Sequence, residues 1–250
     1  MKNISRRKML GLTGMAAGGV ISAGPLQSYS SEKKAKKLKI LITGAHPDDP
    51  ETGCGGSMLK FTEQGHDVVA LYLTRGEAGI PGTSYKKAAK IRTDEAKKAC
   101  DILHAKPVFA GQVDGNTEIT KEHYKTVKDL IEKEDPDLVF THWPIDSHRD
   151  HRITSTLVYD AWLELGRKFD LLYYEVLTGE QSQNFNPDLY IDISSVEKKK
   201  EKACLCHQSQ NPEEVYAYHK KMSSFRGLEY NCTHAEAFIA HVQNRKRSFL

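Results

Sequence analysis

Leu38-Lys39-Ile40-Leu41-Ile42-Thr43-Gly44, running directly into Ala45-His46-Pro47-Asp48-Asp49-Pro50-Glu51, decides how the chain is read. The apolar run is short and nearly continuous, as in a strand covered on both faces of a sheet. Thr43-Gly44 ends it, and the turn that follows carries a histidine and adjacent aspartates. The same rhythm then repeats outward. A helix is expected from Cys54 or Gly55 to Gln64, stopped by Gly65. Residues 68–73 read as a second strand, 85–103 as a helix and 107–110 as a weak strand. Thr120 can cap a helix through Lys133, which Asp135-Pro136-Asp137 breaks. Leu138-Val139-Phe140 is the next buried strand, 149–167 a helix and 171–176 another strand. Alternating strands and helices predict an α/β domain: a single Rossmann-like, mostly parallel sheet with helices on both faces. After Leu177 the rhythm changes. An edge strand at 189–193, a helix from Ser194 or Ser195 through His207, a helix with Pro212 in its first turn and a last strand at 237–242 make a helical C-terminal part.

The bulk numbers agree with one globular domain. The chain has 250 residues, 39% hydrophobic and 28% charged, so disorder and fibrous repeats are excluded. Its net charge of +3 belongs to one end. Lys2, Arg6, Arg7 and Lys8 fall in the first 24 residues, which hold no acid, and the rest has 32 basic against 33 acidic residues. A nucleic-acid-binding surface is therefore not expected.

The basic start is followed by a mild apolar stretch, 9–21, and by Ser22-Ala23-Gly24, small residues suited to processing. Gly11, Gly14, Gly18 and Gly19 disfavour a stable helix there. The segment resembles a twin-arginine export signal. The expected organisation is an export signal at 1–24, a lysine-rich linker at 25–37 and a catalytic domain at 38–250. The protein is then periplasmic or extracellular, with no stable membrane span after processing, because the apolar stretch is shorter than the roughly 20 residues a span needs. The five cysteines make a poor disulfide framework, though one bridge is open in an oxidising compartment.

Ligands of open α/β sheets collect beyond the carboxyl ends of the strands. Two segments at such ends are rich in metal-binding side chains. The first is His46-Pro47-Asp48-Asp49-Pro50-Glu51. The second is His142-Trp143-Pro144-Ile145-Asp146-Ser147-His148-Arg149-Asp150-His151, after Leu138-Val139-Phe140. A hydrolytic zinc site needs about three nitrogen or oxygen ligands and an open position. The ion brings the pKa of water from about 15.7 to about 7. A carboxylate must take the proton, and a further donor must neutralise the oxyanion formed at the carbonyl. These loops hold candidates for every part. Read singly, each residue has a plainer explanation: Asp48, Asp49 or Asp146 as a helix cap, and each histidine as an ordinary buried side chain.

Ala45-His46-Pro47-Asp48-Asp49-x-Glu51 with Gly53-Cys54-Gly55-Gly56 resembles the first signature of the PIG-L (LmbE-like) N-acetylglucosaminyl deacetylase family. His142-x-Pro144-x-Asp146-x-His148-x-Asp150-His151 resembles the second. Leu73-Thr74-Arg75-Gly76-Glu77-Ala78-Gly79, Arg92-x-x-Glu95-Ala96, His207-x-Ser209-Gln210 and Ala235-Glu236-Ala237-Phe238 match supporting pieces. The likeness runs from about residue 38 to 242. It implies that His46, Asp49 and His151 bind a divalent metal, usually zinc, and that Asp48 is the general base. It implies that His148, steadied by Asp150, stabilises the oxyanion and protonates the leaving amine. It also implies a small-molecule or oligosaccharide substrate, an N-acetylated amino sugar that loses acetate. Asp146 is expected behind a ligand histidine, and Arg75, Glu77 and Arg92 are candidates for touching substrate or supporting the site. Arg149 stands where many relatives have proline, and Arg75 where they often have aspartate. The alternatives are a metal-dependent amidase or phosphoesterase on another substrate, a non-catalytic sugar-binding protein, and a dinucleotide module suggested by Gly53-x-Gly55-Gly56, whose spacing departs from GxGxxG.

Overall fold

The computed structural model describes residues 36–244; the expected export signal and nearly all of the expected linker lie outside the described residues. Seven strands form one sheet: β1 (Lys39–Gly44), β2 (Asp67–Tyr72), β3 (Lys106–Phe109), β4 (Leu138–His142), β5 (Asp170–Tyr174), β6 (Leu189–Asp192) and β7 (Ala235–Ala240). Their order across the sheet is β3-β2-β1-β4-β5-β7-β6. The first five are parallel, and β7 runs antiparallel to both β5 and β6. The expected mostly parallel, doubly covered sheet is what the chain forms, and the C-terminal part extends it with two strands rather than standing beside it as helices alone.

Side-chain alternation assigns the layers. On β1, Ile40 and Ile42 join a core with Met58 and Leu59 of α1 (Asp49–Glu63), Ala96 and Leu103 of α2 (Tyr85–Leu103) and Ala203 of α5 (Glu197–Cys204). Leu41 points the other way, into a core with Ile131 of α3 (Lys121–Glu134) and Leu157 and Trp162 of α4 (Arg149–Glu164). The sixth helix, α6 (Pro212–Tyr230), packs on β7 and β6.

Several boundaries move. Helix α1 begins at Asp49, not at Cys54 or Gly55, because Pro50 suits a first turn and the Glu51 carboxylate accepts the Asp48 N–H at 3.2 Å. Helix α5 is shorter than expected, and α4 stops at Glu164 ahead of Gly166, whose φ is +69°. The last strand starts two residues early, at Ala235. All five cysteines are free thiols, so the bridge left open by the sequence is not made.

The early start of α1 puts Gly53 and Gly56 inside a helix, where they permit close approach. A Cβ on Gly53 would lie 2.4 Å from the Tyr174 ring of β5, and one on Gly56 2.6 Å from Ile193. These glycines bring α1 down onto the sheet and leave no phosphate-binding loop, which removes the dinucleotide reading.

Candidate active site

The strand order reverses between β1 and β4, the place where open α/β sheets leave a crevice beyond their carboxyl ends. Both ligand-rich segments leave the sheet at this point. His46 follows β1, Asp49 opens α1, His142 ends β4, and His151 lies in the first turn of α4. Asp49 joins them: its Oδ2 is 3.3 Å from His46 Nδ1, and its Oδ1 is 3.3 Å from His151 Nε2. The expected ligand residues thus meet around one carboxylate.

Each histidine is held from behind. His151 Nδ1 faces Asp146 Oδ2 at 3.2 Å, the support expected of Asp146. His46 Nε2 faces Asp114 Oδ1 at 3.2 Å and Asp150 Oδ2 at 3.3 Å. The Asp150 carboxylate is therefore directed at His46 rather than at His148. It also accepts from Gly115 N–H at 2.9 Å and the Thr117 hydroxyl at 2.7 Å. Asp150 meets His148 through its backbone N–H, which donates to His148 Nδ1 at 3.3 Å. That bond makes Nδ1 the acceptor and leaves Nε2 to carry the proton of the neutral ring. The His148 ring packs 4.8 Å from His46 and 4.6 Å from His151.

Asp48 is the N-cap of α1 at φ 113°, a backbone conformation unusual outside glycine. Its side chain, 26% exposed, accepts from Arg92 Nη2 at 2.7 Å, and the same guanidinium nitrogen donates to the Pro47 carbonyl. Arg92, nearly buried on α2, thus clamps the turn that carries Asp48. Glu77 accepts the N–H groups of Arg75 and Asp114 at 3.1 Å each and so shapes the loop that delivers Asp114. Arg75 is engaged elsewhere, donating to Thr93 at 3.0 Å with its guanidinium 4.2 Å over the Phe109 ring.

Two residues had no assigned role in the sequence. His142 is fully buried, stacked on His151 at 3.9 Å and 8°, with Nε2 3.3 Å from Asp49. Asp114 follows β3; the strand-end rule that flagged the other two loops applies there as well, but the weak β3 pattern hid it.

Burial and charge oppose one another at the site. Burial opposes ionisation of Asp49, yet His151 and His142 hold its carboxyl well below the usual range. Burial opposes charge on His46 and His151 too, but the surrounding carboxylates prevail, raising His46 well above its ordinary value and His151 to about 9. His142, buried and facing His151, is pushed down to about 4. Burial also raises Asp48, against the opposing pull of Arg92. Burial and the neighbouring His46 and His151 lower His148. Buried carboxylates crowding two imidazoles call for a cation.

The donor types suit a divalent ion. Among the described residues, three overlapping groups have donor atoms within 4.8 Å of one another: His46–His148–His151, Asp49–His142–His151 and His46–Asp114–Asp150. Asp49 belongs to the second of these groups and His46 to the first and third; the Asp49 carboxylate links them, with Oδ2 3.3 Å from His46 and Oδ1 3.3 Å from His151.

A cleft opens over these groups. Asp48, Asp49 and Asp114 line one side; Val176, Leu177 and Gln181, after β5, and Val215 and His219, on α6, line the other. The second wall is pinned by a buried ion pair, with Arg226 Nε and Nη2 at 2.7 and 2.8 Å from the two Glu175 oxygens.

Comparison with known proteins follows the same lines. Residues 41–162 match the PIG-L family model, described as GlcNAc-PI de-N-acetylase. A diacetylchitobiose deacetylase of Thermococcus kodakarensis is 33% identical, over 76% of this chain and 81% of the relative. A 4-oxalmesaconate hydratase of Pseudomonas putida is 26% identical, over 76% and 80%. The solved structure of N,N'-diacetylchitobiose deacetylase from Pyrococcus horikoshii superposes with a TM-score of 0.72 at 24% identity, covering 82% of this chain and 84% of that one, a likeness of fold. With this coverage by a relative of such identity, and with both signatures meeting in one crevice, the chain belongs to the PIG-L family.

Proposed function

We propose that this protein is a zinc-dependent hydrolase that removes the acetyl group from an N-acetylated amino sugar. The observation that carries the reading is Asp48, a carboxylate open to the cleft beside a buried His–Asp donor set. The deacetylase relative supports the amino-sugar substrate. His46, Asp49 and His151 are the residues to hold the ion. Zinc, when bound, would supply the Lewis acidity that brings water to a pKa of about 7.

The chain's own groups divide the remaining work. Asp48, raised by burial and fixed by Arg92, takes a proton from the attacking water. His148 offers Nε2–H to the oxyanion that forms on the acetamide carbonyl. The C–N bond then breaks, and the proton held by Asp48 becomes available to the leaving amine. Asp146, His142 and Asp150 orient the ligand histidines. Arg92 positions the base. A second reading, hydration of a carbon–carbon double bond, has the hydratase relative in its favour.

The test is acetate release from N-acetylated mono- and oligosaccharides by zinc-supplemented protein. Asp48→Asn should abolish release and keep zinc bound. Protein that purifies without stoichiometric metal, and that no divalent ion activates, would refute the mechanism. Loss of a conjugated double bond without acetate release would favour the hydratase. Export belongs to the same proposal and rests on the leader at residues 1–24. No helix among the described residues is long and apolar enough to cross a membrane. Fractionation of cells expressing the full chain and a variant with Arg6 and Arg7 replaced by lysine tests it.

A further inference from the structure

We infer that the cleft selects an uncharged glycoside, and that Leu177, Gln181, Val215 and His219 on its second wall set this preference; the inference rests on the deacetylase reading and deepens it. Its basis is the contrast between the two sides of the cleft. On the first, Asp48, Asp49 and Asp114 present carboxylates. The cation there, Arg92, is committed to Asp48 and the Pro47 carbonyl. A divalent ion and Arg92 together would only balance those three carboxylates, so the first side gives no net attraction to an anion. The other arginines of the motifs are engaged elsewhere: Arg75 with Thr93 and the Phe109 ring, Arg149 with the Gly115 carbonyl.

The second wall mixes apolar with neutral polar groups. Leu177 and Val215 offer surface to the C–H faces of a sugar ring. Gln181 Oε1 and His219 Nε2 are buried and find no partner among the described residues. Buried polar atoms are nearly always satisfied, so their capacity is available to a ligand hydroxyl. The terminal torsions of glutamine and histidine are soft enough to turn toward one. The wall is also rigid, through the Glu175–Arg226 pair and through Ser182, whose hydroxyl donates to Asp146 at 3.2 Å. A preformed, neutral, amphipathic wall opposite a row of carboxylates fits a saccharide without phosphate or carboxylate groups.

The experiment sets di-N-acetylchitobiose against N-acetylglucosamine 1-phosphate on zinc-supplemented full-length protein. It measures kcat/KM for acetate release, and binding by calorimetry wherever no acetate appears. The neutral sugar should be preferred at least about tenfold, because a charge-balanced side and a neutral wall offer nothing to offset the desolvation of a phosphate. Neither KM should change appreciably with ionic strength, because the balanced site leaves no net charge to screen. Gln181→Arg, and independently Val215→Lys on the partly exposed face of α6, should narrow the ratio by raising the phosphate's kcat/KM. Equal or greater activity on the phosphate overturns the inference and leaves the deacetylase reading standing. Preferred binding of the neutral sugar without acetate release supports the inference while the reaction class fails. Binding of neither sugar overturns both.

Discussion

Three glycines within four positions of α1 give a controlled test of how the site is held. On helix propensity alone, alanine at Gly53, Gly55 or Gly56 should stabilise the protein by up to about 1 kcal/mol. Their surroundings divide them. A Cβ at Gly53 would lie 2.4 Å from the Tyr174 ring, which cannot retreat because its hydroxyl donates to the Thr43 carbonyl and the ring is fully buried. A Cβ at Gly56 would lie 2.6 Å from Cγ2 of fully buried Ile193. At Gly55 the nearest atom is Cγ of Lys200, 3.2 Å away, a looser contact than the other two, although Lys200 is itself buried and paired with Glu236. Overpacking costs about 1–3 kcal/mol. Net of propensity, Gly53→Ala and Gly56→Ala should therefore destabilise by roughly 0–2 kcal/mol, and Gly55→Ala should be the best tolerated of the three. Gly53→Ala has a second consequence. Gly53 lies one turn after Asp49 on the same helix face, so pushing it off the sheet moves Asp49 relative to His151, and zinc affinity should fall in this variant more than in the other two. Urea unfolding gives the stabilities and competitive chelator titration gives the metal affinities. Equal behaviour of all three variants, or stabilisation by all three, would refute close approach as the reason for these glycines.

Other outcomes follow from single contacts. Asp146→Asn should lower zinc affinity about 10–100-fold, read by calorimetry, because His151 loses its carboxylate support. Arg226→Met should destabilise by about 3–5 kcal/mol by leaving Glu175 buried and unpaired, while the double change with Glu175→Met should recover most of the loss in urea unfolding. Glu134, nearly buried, accepts from Lys106 and Lys39 at 2.7 and 2.8 Å. Burial raises its pKa, but the two lysines prevail and hold it below the ordinary value. Its stabilising effect should thus be complete above the unfolded value of about 4.3 and be lost as pH falls through the lower folded value. Glu134→Gln should then be less stable than the parent at neutral pH, by at most about 1 kcal/mol, with the gap closing in strong acid; a gap that persists there would exclude this ion pair as its cause.

The parallel sheet was legible because each buried strand leaves a short apolar run and each amphipathic helix a periodic one. The segments that carry the candidate ligands stood out because both follow such runs. What escaped has a physical reason. Helix α1 begins at Asp49 through a hydrogen bond from Asp48 N–H to Glu51 and a proline that fits a first turn, signals that the glycine-rich stretch behind them masked. Asp114 follows a strand too weak to mark a strand end, and its approach to His46 depends on Glu77, 37 residues earlier. The carboxylate of Asp150 swings to His46 because Gly115 and Thr117 supply its other partners. That preference comes from tertiary packing, which residue spacing cannot carry.

The crossover between β1 and β4 bears on how the protein matures. His46 and Asp150, in contact, are 104 residues apart in the chain. Three strands and three helices lie between them and must be in place before the pocket closes. Such non-local closure comes late in folding, and an ion that binds only the closed state adds stability that grows with the logarithm of its free concentration over Kd. Uptake of the proposed ion would therefore be a late checkpoint, which a fragment ending before α4 could not pass. A limiting supply of that ion would then appear as a faster-degraded protein as well as a less active one.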